Sequence, residues 1–124
     1  MTYDINLDET SNLISADKVE GTTVYNASGE KLGQIETVMI DKLSGKVAYA
    51  VMSFGGFLGM GEEYHPLPWN VLTYDTNLRG YSVNVDKQTL ENAPTVKRDE
   101  KVNWTDQAWG RRVHEHYGAT PYWM

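Results

Sequence analysis

Residues 24–70 place three apolar segments between stretches of turn chemistry at short intervals, the pattern of a small antiparallel β structure. The stretch reads Val24-Tyr25-Asn26-Ala27-Ser28-Gly29-Glu30-Lys31-Leu32-Gly33-Gln34-Ile35, then Met39-Ile40-Asp41-Lys42-Leu43-Ser44-Gly45-Lys46-Val47-Ala48-Tyr49-Ala50-Val51. It closes on Phe54-Gly55-Gly56-Phe57-Leu58-Gly59-Met60-Gly61-Glu62-Glu63-Tyr64-His65-Pro66-Leu67-Pro68-Trp69. No set of residues within it is assembled for bond-breaking.

Six short β segments follow from this pattern, at residues 22–26, 32–41, 47–54, 64–69, 71–74 and 81–85. The second carries Leu32, Ile35, Val38, Met39 and Ile40, so its period-2 parity slips between Ile35 and Val38. Such a slip predicts a bulge, which bends a strand. The third is apolar on both faces and reads as a central strand covered on each side. Pro66 and Pro68 predict that the fourth is an edge or is interrupted, because proline has no N–H for a ladder. Short bent strands with glycine corners predict a small barrel, since closure removes exposed edges. Ser15 and Asp86 are expected to cap short helices, the second running to Asn92 before Pro94.

The organisation is a polar arm at 1–14, a β domain at 15–96 and an aromatic tail at 97–124. From Asn103 or Thr105 to Tyr117 the tail has helical periodicity, with Ala108, Trp109, Val113, His116 and Tyr117 on one stripe and Gly118 as a C-cap. Trp104, Trp109 and Trp123 are three of the chain's four tryptophans. An amphipathic helix with that aromatic surface packs on its own barrel or on a neighbour.

A chain of 124 residues without cysteine excludes disulfides, thiolate metal sites and cysteine nucleophiles, and fits a reducing cytoplasm. The N-terminus lacks a basic start and an apolar run, and no window approaches the roughly 18 apolar residues of a spanning helix. Residues 1–96 hold six Lys/Arg against thirteen Asp/Glu, and residues 97–124 five against four. Phosphate recognition draws on cations, so the acidic body argues against nucleic acid as a direct partner. The chain reads as soluble and cytoplasmic.

Candidate chemistry is sparse. His114 and His116 stand at i,i+2 and point apart on a helix, without the i,i+4 spacing of a zinc helix. As polar groups near a helix C-terminus they complement its dipole. Asp41, Glu36 and Glu63 have no partner at a recognisable catalytic spacing, and no serine has a nucleophile-elbow context. Glu62, Glu63 and His65 beside the glycine loop are the nearest approach to a ligand or divalent-metal cluster. The loop from Gly55 to Gly61 either folds inward to plug one barrel end or stays exposed as a contact.

The residues Gly29-Glu30-Lys31-Leu32-Gly33-Gln34-Ile35, Ile40-Asp41, Gly45-Lys46-Val47-Ala48-Tyr49, Phe54-Gly55-Gly56-Phe57-Leu58-Gly59 and Pro66-Leu67-Pro68-Trp69 resemble PRC-barrel domain proteins. The family is named for the cytoplasmic domain of the photosynthetic reaction centre H subunit, and its barrel also forms the C-terminal domain of a bacterial ribosome-maturation factor. The resemblance covers residues 16–96 and is closest to stand-alone bacterial members. It implies a small, highly bent β-barrel that binds other proteins, and it brings no catalytic residue and no cofactor. The membrane helix of the H subunit and the RNA-associated domain of the maturation factor have no counterpart here, and the tail lies outside the shared pattern.

The expectation is therefore an all-β, highly bent barrel with an appended C-terminal amphipathic helix, acting as a non-catalytic adaptor. Its contact residues are Phe57, Leu58 and Trp69 at one barrel end, with Trp109 and Arg112 on the helix, because aromatics and arginine concentrate at binding hot spots. The partner is another protein or a second copy of the chain. The alternative is a small-ligand or metal sensor built on Glu62, Glu63 and His65.

Overall fold

The computed structural model describes residues 13–54, 63–97 and 101–124. Seven strands form one mixed sheet: β1 Thr23–Tyr25, β2 Lys31–Ile40, β3 Val47–Phe54, β4 Glu63–Pro68, β5 Leu72–Asp75, β6 Gly80–Val83 and β7 Val96–Lys97. Three helices accompany it: α1 Ala16–Val19, α2 Lys87–Glu91 and α3 Gln107–His116. The strand order is β5-β6-β1-β2-β3-β4-β7. Six segments were expected and seven are found among the described residues, the extra one being the two-residue β7, too short to leave a periodic signature.

The β2–β3 hairpin is the backbone of the sheet, paired from Gly33↔Phe54 to Ile40↔Val47. Its register shifts between Ile35 and Thr37, where the parity slip predicted a bulge, and again between Met39 and Ile40. The turn is held by Asp41, whose carboxylate accepts from the Ser44 hydroxyl at 2.7 Å and from Leu43 N–H at 3.2 Å. Gly33 is required by contact: a Cβ there would run into the Ser53 carbonyl oxygen of the neighbouring strand.

One pairing departs from an antiparallel plan. β1 runs parallel to β6, with Val24 opposite Tyr81. Two separate stretches bring this about: the β5–β6 hairpin forms late in the chain, and β6 then returns beside β1. Alternating apolar patterns carry no information on which distant strand completes an edge.

β4 pairs with β3 from Tyr49↔Pro68 to Ser53↔Tyr64. Its outer edge meets β7 only at Glu63 and Tyr64, so beyond Tyr64 no described strand needs an N–H from Pro66 or Pro68. The edge reading of this strand holds for that half. A single 3-10 turn, Trp69–Val71, follows. Trp69 then meets Tyr81 of β6, ring centroids 5.3 Å apart. Four strand spacings separate β4 from β6 in the sheet, about 19 Å if it were flat. Contact between them means the sheet is strongly curled.

The core runs through this curl: Val24, Ile35, Ala50, Met52, Leu67 and Val83 are buried, with Leu90 of α2 inserted beside them. Asp86 caps α2 by accepting from Thr89 N–H at 2.7 Å. That bond, and after it a second from the Thr89 hydroxyl at 2.7 Å, holds its carboxyl below the usual carboxylate range. Residues 48–52 of β3 are all buried. The predicted two-sided cover of this strand is therefore present, and the second cover is the C-terminal segment.

Candidate functional site

Tyr49 is the organising residue of the sheet's second face. Its side chain points away from that of its neighbour Ala50, because successive side chains of a strand alternate. Around it gather the rings of Trp104 at 5.5 Å, Trp109 at 6.0 Å, His114 at 5.3 Å and Tyr122 at 5.6 Å. All four come from residues 104–122, so the aromatic tail packs on its own sheet. Val113 and Tyr117 join the same core cluster.

α3 is built to sit this close. Asp106 caps it, accepting from Ala108 N–H at 3.0 Å and Trp109 N–H at 3.4 Å. Gly118, at φ 67°, takes the left-handed conformation that ends it. Midway lies Gly110, a poor helix former in isolation. A Cβ there would stand 2.9 Å from the Trp123 ring and 3.1 Å from the Tyr49 hydroxyl. The inward face is Gly110, Val113, His114 and Tyr117, whereas Ala108, expected on that stripe, is exposed. A stripe counted from apolar side chains gives no weight to a glycine that permits contact or to a histidine that satisfies itself.

His114 does so. It is buried, and its Nδ1 lies 2.7 Å from the Gly110 carbonyl. A carbonyl only accepts, so Nδ1 carries the proton and a neutral ring presents Nε2 as an acceptor. His116 donates from Nε2 to the Thr89 carbonyl at 2.7 Å, tying α3 to α2. The two imidazoles thus face different partners, as their spacing required. The Tyr49 hydroxyl is buried without a hydrogen-bond partner. Burial, with Tyr122 nearby adding to it, pushes this phenol up to about 12. A phenol so placed stays protonated at neutral pH.

Beside the Tyr49 cluster lies a cleft of about 450 Å³. Lys46 and the head of β3, the turn after β4, His114, residues 120–122 and Met124 form its walls. Of the residues expected to make contacts, Trp69 lines this cleft and is half-buried. Trp109 is half-buried within the Tyr49 cluster, its ring 5.4 Å from Trp104. Arg112 lies on the exposed face of α3. Phe57, Leu58 and Glu62, with the rest of the Gly55 to Gly61 loop, lie outside the described residues. Glu63 opens β4, and its side chain is likewise outside them. His65 is buried on the opposite face from Tyr49, edge-on to Phe54 at 5.4 Å. Among the described residues no group of three or more His, Cys, Asp or Glu is placed to share a metal ion, and no helix is long and apolar enough to cross a membrane.

Residues 11–90 match the PRC-barrel domain. The chain belongs to the PRC-barrel family. The match embraces α1, six of the seven strands and most of α2, and the family implies a β-barrel fold for them. No curated protein matches the chain. Within this PRC-barrel protein the Tyr49 cluster joins two kinds of sequence: a family strand supplies the tyrosine, and residues beyond the matched region supply its cover.

Proposed function

We propose that this PRC-barrel protein is a non-catalytic, cytoplasmic adaptor whose highly bent barrel presents a protein-binding surface. The observation that carries the reading is the outer edge of β2. β1 pairs with β2 only as far as Gln34, and the last bonds on that side are Ile35 N–H to Thr22 and Gly21 N–H to Ile35. From 36 to 40 the strand pairs with β3 alone among the described strands. Ile40 is 52% exposed at the end of this edge, and Leu43 in the adjoining turn is 98% exposed. A strand edge offers hydrogen bonds to an added strand, and exposed apolar side chains beside it offer the contact.

Support of a second kind comes from the polar groups. Asp41, Asp86 and Asp106 serve turns and caps, and His114 and His116 bond to backbone carbonyls. Each is explained by structure. Trp69 after β4, Trp109 and Arg112 on α3, and Phe57 and Leu58 from the sequence between β3 and β4 complete the proposed contact set.

The test compares recovery of partners from native extract at moderate salt by the wild type, by Ile40→Glu/Leu43→Glu and by Leu58→Asp. A stoichiometric protein retained by the wild type and lost by a variant places the contact. Equal recovery by all three, or nothing retained by any, defeats the reading.

A further inference from the structure

The outer edge of β2 is complementary to itself. From residue 36 to residue 40 it pairs with β3 alone among the described strands. Thr37, Val38, Met39 and Ile40 carry no charge and include no proline, the devices that keep an edge from pairing with its own kind. Val38 and Met39 also pack against the core, which holds the strand in place. Charge stands only at the two ends of this stretch, with Glu36 before it and Asp41 and Lys42 after it. Asp41 turns its carboxylate into its own turn, to Ser44 and Leu43. Glu36 and Lys42 are both exposed, and Glu36 accepts a long bond from Gln34 Nε2 at 3.4 Å.

Residues directly opposite in an antiparallel pair share one face of the sheet. Two copies of one strand related by a twofold axis normal to the sheet therefore place that axis at a residue. With the axis at Met39, Val38 meets Ile40 of the second copy, and Thr37 meets Asp41 of the second copy. Glu36 at one end then comes beside Lys42 of the second copy at the other. An axis at Val38 would set Glu36 against Ile40, and an axis at Ile40 would set Val38 against Lys42. Pairing ends past Glu36, because Ile35 already bonds Thr22 and Gly21 on that side.

We propose that this PRC-barrel protein forms a homodimer by antiparallel pairing of β2 with β2 of a second copy, centred on Met39. The inference rests on the reading of the β2 edge as a protein contact and names its occupant. One sheet then runs through both copies, and Trp69, Trp109 and Arg112 are presented twice to any further partner.

Sedimentation equilibrium of the full chain tests the assembly, and the wild type is expected to reach twice the chain mass as its concentration rises. Ile40→Glu/Leu43→Glu changes two exposed side chains and should stay monomeric with unaltered far-ultraviolet circular dichroism. Glu36→Lys and Lys42→Glu each bring like charges together at both ends of the interface, so each should weaken the dimer several-fold. An equimolar mixture of these two variants should restore it, because each then meets its opposite. Cross-linking reads the register in a chain that has no cysteine of its own. Met39→Cys faces itself across the axis and should oxidise to a covalent dimer, whereas Thr37→Cys, set four residues from its copy, should not. A wild type that stays monomeric overturns the pairing. So does a dimer that survives Ile40→Glu/Leu43→Glu, that fails to recover on mixing, or that cross-links equally through both cysteines. Each of these outcomes leaves the adaptor reading to the recovery of a foreign protein, and recovery of none leaves the dimer in place.

Discussion

His116 of α3 and Thr89 of α2 are joined by a 2.7 Å hydrogen bond, the imidazole Nε2–H donating to the backbone carbonyl. The bond links the tail to the end of the family region, 27 residues back along the chain. His116→Ala removes the donor and leaves a half-buried carbonyl for water to reach. We expect a loss of about 1 kcal/mol, seen as a lower urea midpoint at unchanged slope. An unchanged midpoint would show that the bond contributes nothing net.

The Tyr49 hydroxyl gives an alkaline signature. Its folded-state pKa is about 12, above the ordinary value near 10, so its contribution is complete below pH 10. Between those values the unfolded chain loses its proton first, and stability falls by about 1.4 kcal/mol per pH unit. Burial pushes Tyr117 in the same direction. Tyr49→Phe should flatten the decline measured by urea unfolding from pH 9 to 11. At pH 7 it should be neutral or stabilising, because the hydroxyl has no partner to lose. A loss above about 1 kcal/mol at pH 7 would contradict this account.

Gly33→Ala places a methyl group against the Ser53 carbonyl. Both atoms belong to paired backbones of the central hairpin, so neither side can swing away. The expected cost is about 3 kcal/mol or more, at the upper end for overpacking, or failure to fold. Circular dichroism with urea unfolding measures it, and a variant as stable as wild type would refute the close approach.

Gly110→Ala tests the opposite case. Alanine favours a helix over glycine by about 1 kcal/mol. Its methyl would meet the far end of the Trp123 ring, which can move, as well as the Tyr49 hydroxyl. We expect Trp123 to leave its seat, with a net loss of about 1 kcal/mol after the helical gain. The near-ultraviolet circular dichroism should weaken while the far-ultraviolet helix signal holds. Unchanged aromatic signals would mean that the ring does not lie there.

Much of the sheet is legible in the sequence because local chemistry determines it. The parity slip at Ile35 announces a bulge, and the unbroken apolar run at 47–52 announces a strand covered twice. Asp86 and Gly118 mark helix ends that the structure places within a residue of expectation. What eludes the sequence is relational. Nothing local tells β6 to lie parallel to β1, and nothing marks Val96–Lys97 as a strand until β4 offers an edge. The cleft shows the same division: Trp69 stands out by composition, while His114 and Lys46 reach it only through tertiary packing. The one local trace of the buried histidine is its position four residues after Gly110, where a side chain can bond back to the preceding turn.

Tyr49 also imposes an order on biosynthesis. The strand that bears it emerges from the ribosome long before Trp104, Trp109 and Tyr122, so a nascent sheet carries its tyrosine face bare until the last segment is made. Contacts between parts so distant in sequence form slowly, because the intervening chain must first be gathered. During that interval the uncovered strand is a sticky surface. A chain terminated prematurely before the aromatic segment would therefore be prone to aggregation even with its whole sheet synthesised.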